Sequence, residues 1–139
     1  MTGTHPQDLA ARSTREVFED HLRLAAVPDG FEADLQRNVA EDVVVLTGRG
    51  VFRGIGGVRE LACQLMSEIP SGRWTYVTQL FEGPMAFLEW TVDEGPSRIR
   101  DGADSYLIQD GRIRVQTIHY TVEDAHGNVL IRPDGTRPA

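Results

Sequence analysis

The chain has 139 residues, 40% hydrophobic and 25% charged, which suits one globular domain with a core and room for a pocket. Its 21 acidic residues outnumber 14 basic ones, for a net charge of −7. That balance argues against non-specific nucleic-acid binding, which depends on Lys and Arg contacts to phosphate, and fits a neutral or cationic ligand.

Residues 1–12 are polar and read as a flexible N-terminus, with His5 set aside as part of it. Ser13-Thr14-Arg15-Glu16 has the form of a capping box and opens a helix to about Val27. Val17, His21, Leu24 and Ala25 share one face of that helix, with Phe18 and Leu22 alongside. Pro28-Asp29-Gly30 breaks it, and Asp29 can cap a shorter helix through Phe31, Leu35 and Val39. The β-branched run Val43 to Thr47 predicts a strand, and Val51-Phe52 pairs back after a Gly-Arg-Gly turn. Gly54, Gly56 and Gly57 lack the spacing of a phosphate loop and lead into a third helix, Gly57 to Glu68. Cys63 lies in that helix; as the only cysteine it excludes an internal disulfide and reads as a small core residue.

Four longer strands follow: Arg73 to Phe81, Met85 to Val92, Arg98 to Ile108 and Arg112 to Val122. Short turns join them. Residues 13–122 therefore form the domain, and 123–139 a polar tail that frays after a little structure near Val129 to Ile131. Helices first and an antiparallel sheet after them are an α+β signature. No apolar run approaches the roughly 18 residues that span a bilayer, and no signal-peptide core is visible. The expectation is a cytoplasmic protein with no membrane partner.

Asp104, Tyr106 and His119 sit inside strands where packing residues are usual. Asp104 and Tyr106, at i and i+2, share a face. If that face is buried, the Asp104 carboxyl is pushed toward neutrality and can act as acid, base or donor; if it is wet, Asp104 is a surface charge. His119 cannot share a face with Gln116, Ile118 and Tyr120 in a regular strand, and only a bulge would remove that conflict. His21 lies on the apolar face of the first helix, and Trp90 reads as a wall. No metal-ligand spacing and no Ser nucleophile motif appear.

The segments AEDVVVLTGRGVFRGIGGVREL and GADSYLIQDGRI resemble the SnoaL-like branch of the nuclear transport factor 2-like superfamily, over roughly Thr14 to Val122. The resemblance implies a cone: a bent antiparallel sheet wrapped around N-terminal helices, an apolar cavity open at one end, and a homodimer through the convex face. Ketosteroid isomerase, of the same superfamily, keeps a protonated Asp on the strand that here reads GADSY, and Asp104 falls at that position with Tyr106 after it. Thr47 stands where the isomerase has its general base, and Asp20 or His21 where it has a helix-one Tyr, so isomerase activity itself is not implied. SnoaL-type cyclases use a pocket Asp or His on the last strands, where His119 is the residue here that titrates.

The expected function is thus a cofactor-independent enzyme doing cyclisation, isomerisation or dehydration on a small apolar ligand. Asp104 is its acid or base and His21 or His119 its partner; Tyr106, Trp90, Gln116 and Tyr120 hold the ligand. The alternative is a small-molecule-binding protein without chemistry.

Overall fold

The computed structural model describes residues 6–139; residues 1–5, His5 included, lie outside the described residues. A short helix α1 (Pro6–Ala10) precedes α2 (Thr14–Ala25) and α3 (Phe31–Asn38). The chain then forms β1 (Val39–Thr47), β2 (Gly50–Arg53), α4 (Gly54–Glu68), β3 (Arg73–Glu82), β4 (Met85–Asp93) and β5 (Ser97–Gln109). It closes with β6 (Arg112–His119), β7 (Val122–Asp124) and β8 (Val129–Ile131).

The first long helix begins where its cap requires. The Ser13 hydroxyl accepts the Glu16 N–H, and the Glu16 carboxylate accepts the Ser13 N–H. Val17, Phe18, Leu22 and Leu24 of α2 are buried. Val39, expected in the second helix, instead opens β1, because it finds a strand partner in Ile113 of β6.

The main sheet runs β2-β1-β6-β5-β4-β3, antiparallel throughout except for the parallel β1–β6 pair. Its inner face carries Leu88, Trp90 and Val92 of β4 and Ile99, Asp104 and Tyr106 of β5, all buried. Helix α2 packs on β3, β4 and β5, and α4 packs on β1 and β2. Register shifts between Tyr76 and Thr78, Trp90 and Val92, and Leu107 and Ile108 let the sheet curl around them. The result is the α+β cone expected from the sequence.

The outer face carries a cross-strand row, Val51–Leu46–Thr117–Ser105–Phe87–Leu80, in which each residue pairs directly with the next. Val51, Leu46 and Leu80 are exposed, as is Met85 beside them. Among the described residues, no helix is long and apolar enough to cross a membrane.

Three local expectations change. Cys63 is exposed rather than in the core, because α4 turns Leu61 inward and Cys63 away from it. The strand expected over Arg112 to Val122 breaks after His119, and the segment beyond folds back as β7 and β8 against the start of β5. Val122 and Ile131 are buried there, so this part of the tail is tied down by its apolar contacts. At the other end, residues 6–10 form a helix, Leu9 is buried, and Arg12 is anchored by side-chain hydrogen bonds.

Candidate functional site

The β4–β5–β6 register brings one set of polar side chains to the middle of the inner face. Leu88 pairs with Asp104, Asp104 with Ile118, and Tyr106 with Gln116. Asp104 is 6% exposed and Tyr106 1%. Trp90 Nε1–H donates to Asp104 Oδ1 at 2.9 Å. The Tyr106 hydroxyl reaches Asp104 Oδ2 at 2.8 Å, and Gln116 Nε2–H donates to the same oxygen at 3.3 Å. None of these partners is an Arg.

Burial is the largest influence on the Asp104 carboxyl, and it raises the pKa to about 6. The donors from Trp90, Tyr106 and Gln116, and the nearby His21, pull the other way without cancelling it. Burial also pushes the Tyr106 phenol well above its ordinary value, and the neighbouring Asp104 adds to that.

Helix α2 delivers His21 to this group. Its Nε2 lies 3.4 Å from the Tyr106 hydroxyl, and the two rings meet edge to face at 5.3 Å. Its Nδ1 lies 2.8 Å from Asp34 Oδ2, on α3. Burial lowers the His21 pKa, but the hydrogen bond and charge of Asp34, together with the charges of Asp104 and Asp20, outweigh it, so the net direction is upward.

Sequence reasoning missed Asp34, which is 4% exposed, and the fully buried Asn38. Asn38 Nδ2–H donates to Asp34 Oδ1 at 2.9 Å, and Arg12 Nη1–H donates to Asn38 Oδ1 at 2.9 Å. The available signal was their spacing. Asp34 and Asn38 stand one helical turn apart beside Leu35, so the face that buries Leu35 carries both inward.

The structure brings Asp104, His21, Tyr106, Trp90 and Gln116 together and leaves His119 out. A register irregularity near Arg114 turns Gln116, Ile118 and Tyr120 inward; His119 pairs with Ala103 and is exposed on the outer face. Tyr120 packs 5.8 Å from the Trp90 ring, but its hydroxyl donates to Glu68 at 2.8 Å rather than to Asp104. Trp74, 40% exposed, stacks on Trp90 at 5.1 Å. Phe52, Ile55, Val58, Leu65 and Tyr76 pack against the core yet stay partly exposed. Two open hollows, of about 590 Å³ beside α3, β1 and Arg59, and about 200 Å³ beside β7, do not include Asp104.

A family model of the SnoaL-like domain matches residues 18–116, which hold His21, Asp34, Asp104, Tyr106 and Gln116. The chain belongs to the SnoaL-like family. As a SnoaL-like domain of the nuclear transport factor 2-like superfamily, it matches several solved structures at low identity. One is a candidate SnoaL-like polyketide cyclase from Mesorhizobium loti, 17% identical, covering 78% of this chain and 100% of that one, with a TM-score of 0.61. Another is a candidate ketosteroid isomerase from Kribbella flavida, 21% identical, covering 77% and 76%, with a TM-score of 0.59. A third is TerC co-crystallised with polyporic acid, 17% identical, covering 77% and 90%, with a TM-score of 0.59. No protein with a curated description matches the chain. At these identities the SnoaL-like structures establish the shared fold, and function has to be argued from the site.

Proposed function

We propose that this SnoaL-like protein is a cofactor-independent enzyme that carries out acid–base chemistry on a small, mostly apolar ligand. Cyclisation, isomerisation and dehydration all need what the site offers. The observation that carries the reading is the convergence of Asp104, Tyr106 and His21 on one buried point, with no Arg to hold Asp104 as a permanent carboxylate. A carboxyl with a pKa near 6 is poised to give or take a proton near neutral pH. In its neutral form it can donate a hydrogen bond to a developing enolate.

The ligand would displace the Gln116 amide, whose 3.3 Å bond is the longest that Asp104 receives. Its apolar body would lie against Tyr76, Leu65 and the stacked Trp74 and Trp90 rings. TerC, of the same fold, was co-crystallised with polyporic acid, which supports a small organic ligand here. The partner we propose is a second copy of the chain, seated on the outer apolar row.

A probe ketone, 2-tetralone in D2O, tests the chemistry. The expected result is exchange at its α-carbon above the buffer rate, lowered about 100-fold in Asp104→Asn. Equal exchange with wild type and variant would overturn the enzyme reading. Binding of the ketone without exchange would support the second reading, a ligand-binding protein. That reading is favoured by one observation: every buried side-chain polar atom among the described residues already has a hydrogen-bond partner.

A further inference from the structure

We propose that Asp104 and His21 hold one proton in common, passed through the Tyr106 hydroxyl, and that Asp34 is the positioning residue that keeps His21 Nε2 turned toward that hydroxyl. The use of such a unit in catalysis rests on the acid–base reading above. Its existence does not, and it can be tested in the protein without ligand.

The Arg12 guanidinium only donates, so the Asn38 atom facing its Nη1 at 2.9 Å is the amide oxygen. Asn38 must then present its NH2 to Asp34, 2.9 Å away, and Asp34 must accept there. The other Asp34 oxygen faces His21 Nδ1 at 2.8 Å, and a carboxylate only accepts, so Nδ1 carries a hydrogen. That leaves His21 Nε2, toward Tyr106, as the atom free to gain or lose a proton. At the other end, the Trp90 indole only donates, and it occupies Asp104 Oδ1. An acidic proton on Asp104 therefore belongs on Oδ2, the oxygen that faces Tyr106 at 2.8 Å.

Tyr106 has one hydrogen and stands between two groups, so two arrangements satisfy the line. In the first, Tyr106 O–H donates to the Asp104 carboxylate, and an imidazolium Nε2–H donates to the Tyr106 oxygen. In the second, a neutral Asp104 donates from Oδ2 to the Tyr106 oxygen, and Tyr106 O–H donates to the neutral His21 Nε2. Passing from one to the other breaks the Nε2–H bond and forms a new Tyr106 O–H bond. At the same time Tyr106 gives its original proton to Asp104. The proton count is unchanged, and the charges on His21 and Asp104 disappear together. Adding or removing one proton leaves Tyr106 facing two donors or two acceptors at once, so the pair titrates as a unit. The groups that bear on it are Asp20 on the His21 helix, Asp34 on α3, Tyr76 on β3, and Tyr120 beyond β6. The proton that Asp104 gives to a ligand is thus one that His21 has already passed on through Tyr106, which leaves His21 neutral and Asp104 a carboxylate until the ligand or solvent returns a proton.

The test is NMR of the ligand-free protein, with ring nitrogens of His and side-chain carboxyl carbons of Asp labelled. The expected result is that neutral His21 carries its hydrogen on Nδ1, and that His21 and Asp104 show a common titration step. Tyr106→Phe should abolish that common step and separate the two midpoints by about one unit or more. In Asp34→Asn, Asn38 still demands an acceptor, so the new NH2 must face His21 Nδ1 and the neutral tautomer should invert to Nε2–H. Exposed His119 should not change in either variant and serves as the control. Neutral His21 with its hydrogen on Nε2 in the wild type would overturn the proposal, as would titration curves unaltered by Tyr106→Phe. If the variants do not fold, the wild-type tautomer and the presence or absence of a common titration step decide between these outcomes. A failed relay with intact ketone exchange refutes only this inference, and an intact relay without exchange refutes only the enzyme.

Discussion

The Trp90 indole reaches the Asp104 carboxyl across the β4–β5 pair at 2.9 Å because Gly102, opposite Trp90, has no side chain. A Cβ at Gly102 would stand 2.4 Å from indole ring carbons and 2.7 Å from the Trp90 carbonyl oxygen. Gly102→Ala should therefore cost about 1–3 kcal/mol by overpacking and pull the indole from Asp104. Urea denaturation followed by tryptophan fluorescence measures both; an unchanged midpoint and spectrum would contradict this account.

Asp104 makes stability depend on pH in a defined sense. Its folded pKa, about 6, lies above the usual 3.8, so between those values the folded state binds more protons than the unfolded one. Stability then falls as pH rises from about 4 to about 6, by about 3 kcal/mol from this group. His21, also raised, contributes stability that is full below its ordinary 6.5 and lost as pH rises through its folded value. Asp104→Asn should flatten the acid-side slope in denaturation curves taken from pH 4 to 7. A slope equal to that of wild type would show that Asp104 titrates normally.

The outer row predicts self-association. Val51 and Leu46 on β2 and β1, and Phe87, Met85 and Leu80 on β4 and β3, flank the Thr117–Ser105 pair, and these apolar side chains are better covered than wet. Sedimentation equilibrium should show a dimer at micromolar concentration, and Leu46→Glu should shift it to monomer without unfolding. A wild-type monomer would leave the row without this partner.

Arg12 joins the N-terminal segment to the domain. Its guanidinium donates to Asn38, to Asp20 at 3.4 Å, and to the carbonyls of Arg37 and Gly111. Arg12→Ala removes the donor to the buried Asn38 oxygen and to the Arg37 carbonyl, while Asp20 keeps Arg23 and Arg37 and the Gly111 carbonyl keeps Arg112, so the loss should cost about 1–3 kcal/mol. It should also release Asn38 to rotate. Thermal denaturation measures the first effect and the Asn38 side-chain amide signals the second; an unshifted melting temperature would contradict it.

The cone was legible in the sequence because its signals are local. The Ser13–Glu16 box, the Pro28–Gly30 break and the turn residues of the hairpins each fix an element from its own neighbours. Asp104 and Tyr106 were legible for the same reason, since the i, i+2 relation survives in any strand. The partner histidine was not. Choosing His21 over His119 depends on a register irregularity near Arg114 that no turn signal announces. Asp34 and Arg12 lay further out of reach. An acid on a short helix looks solvated until the helix docks, and Arg12 acquires its role only when β5 and β6 close beside it.

The bond from Arg12 to Gly111 spans 99 residues. As the chain leaves the ribosome, the guanidinium has no carbonyl there to meet until the β5–β6 turn has emerged. The closure of the β5–β6 turn onto Arg12 must therefore come after the shorter-range bonds of the same guanidinium to Asn38 and Arg37 can form. Contacts of such long sequence separation slow folding, because loop closure comes before their reward. A nascent chain halted before Gly111 would carry its capped first helix but not its assembled interior.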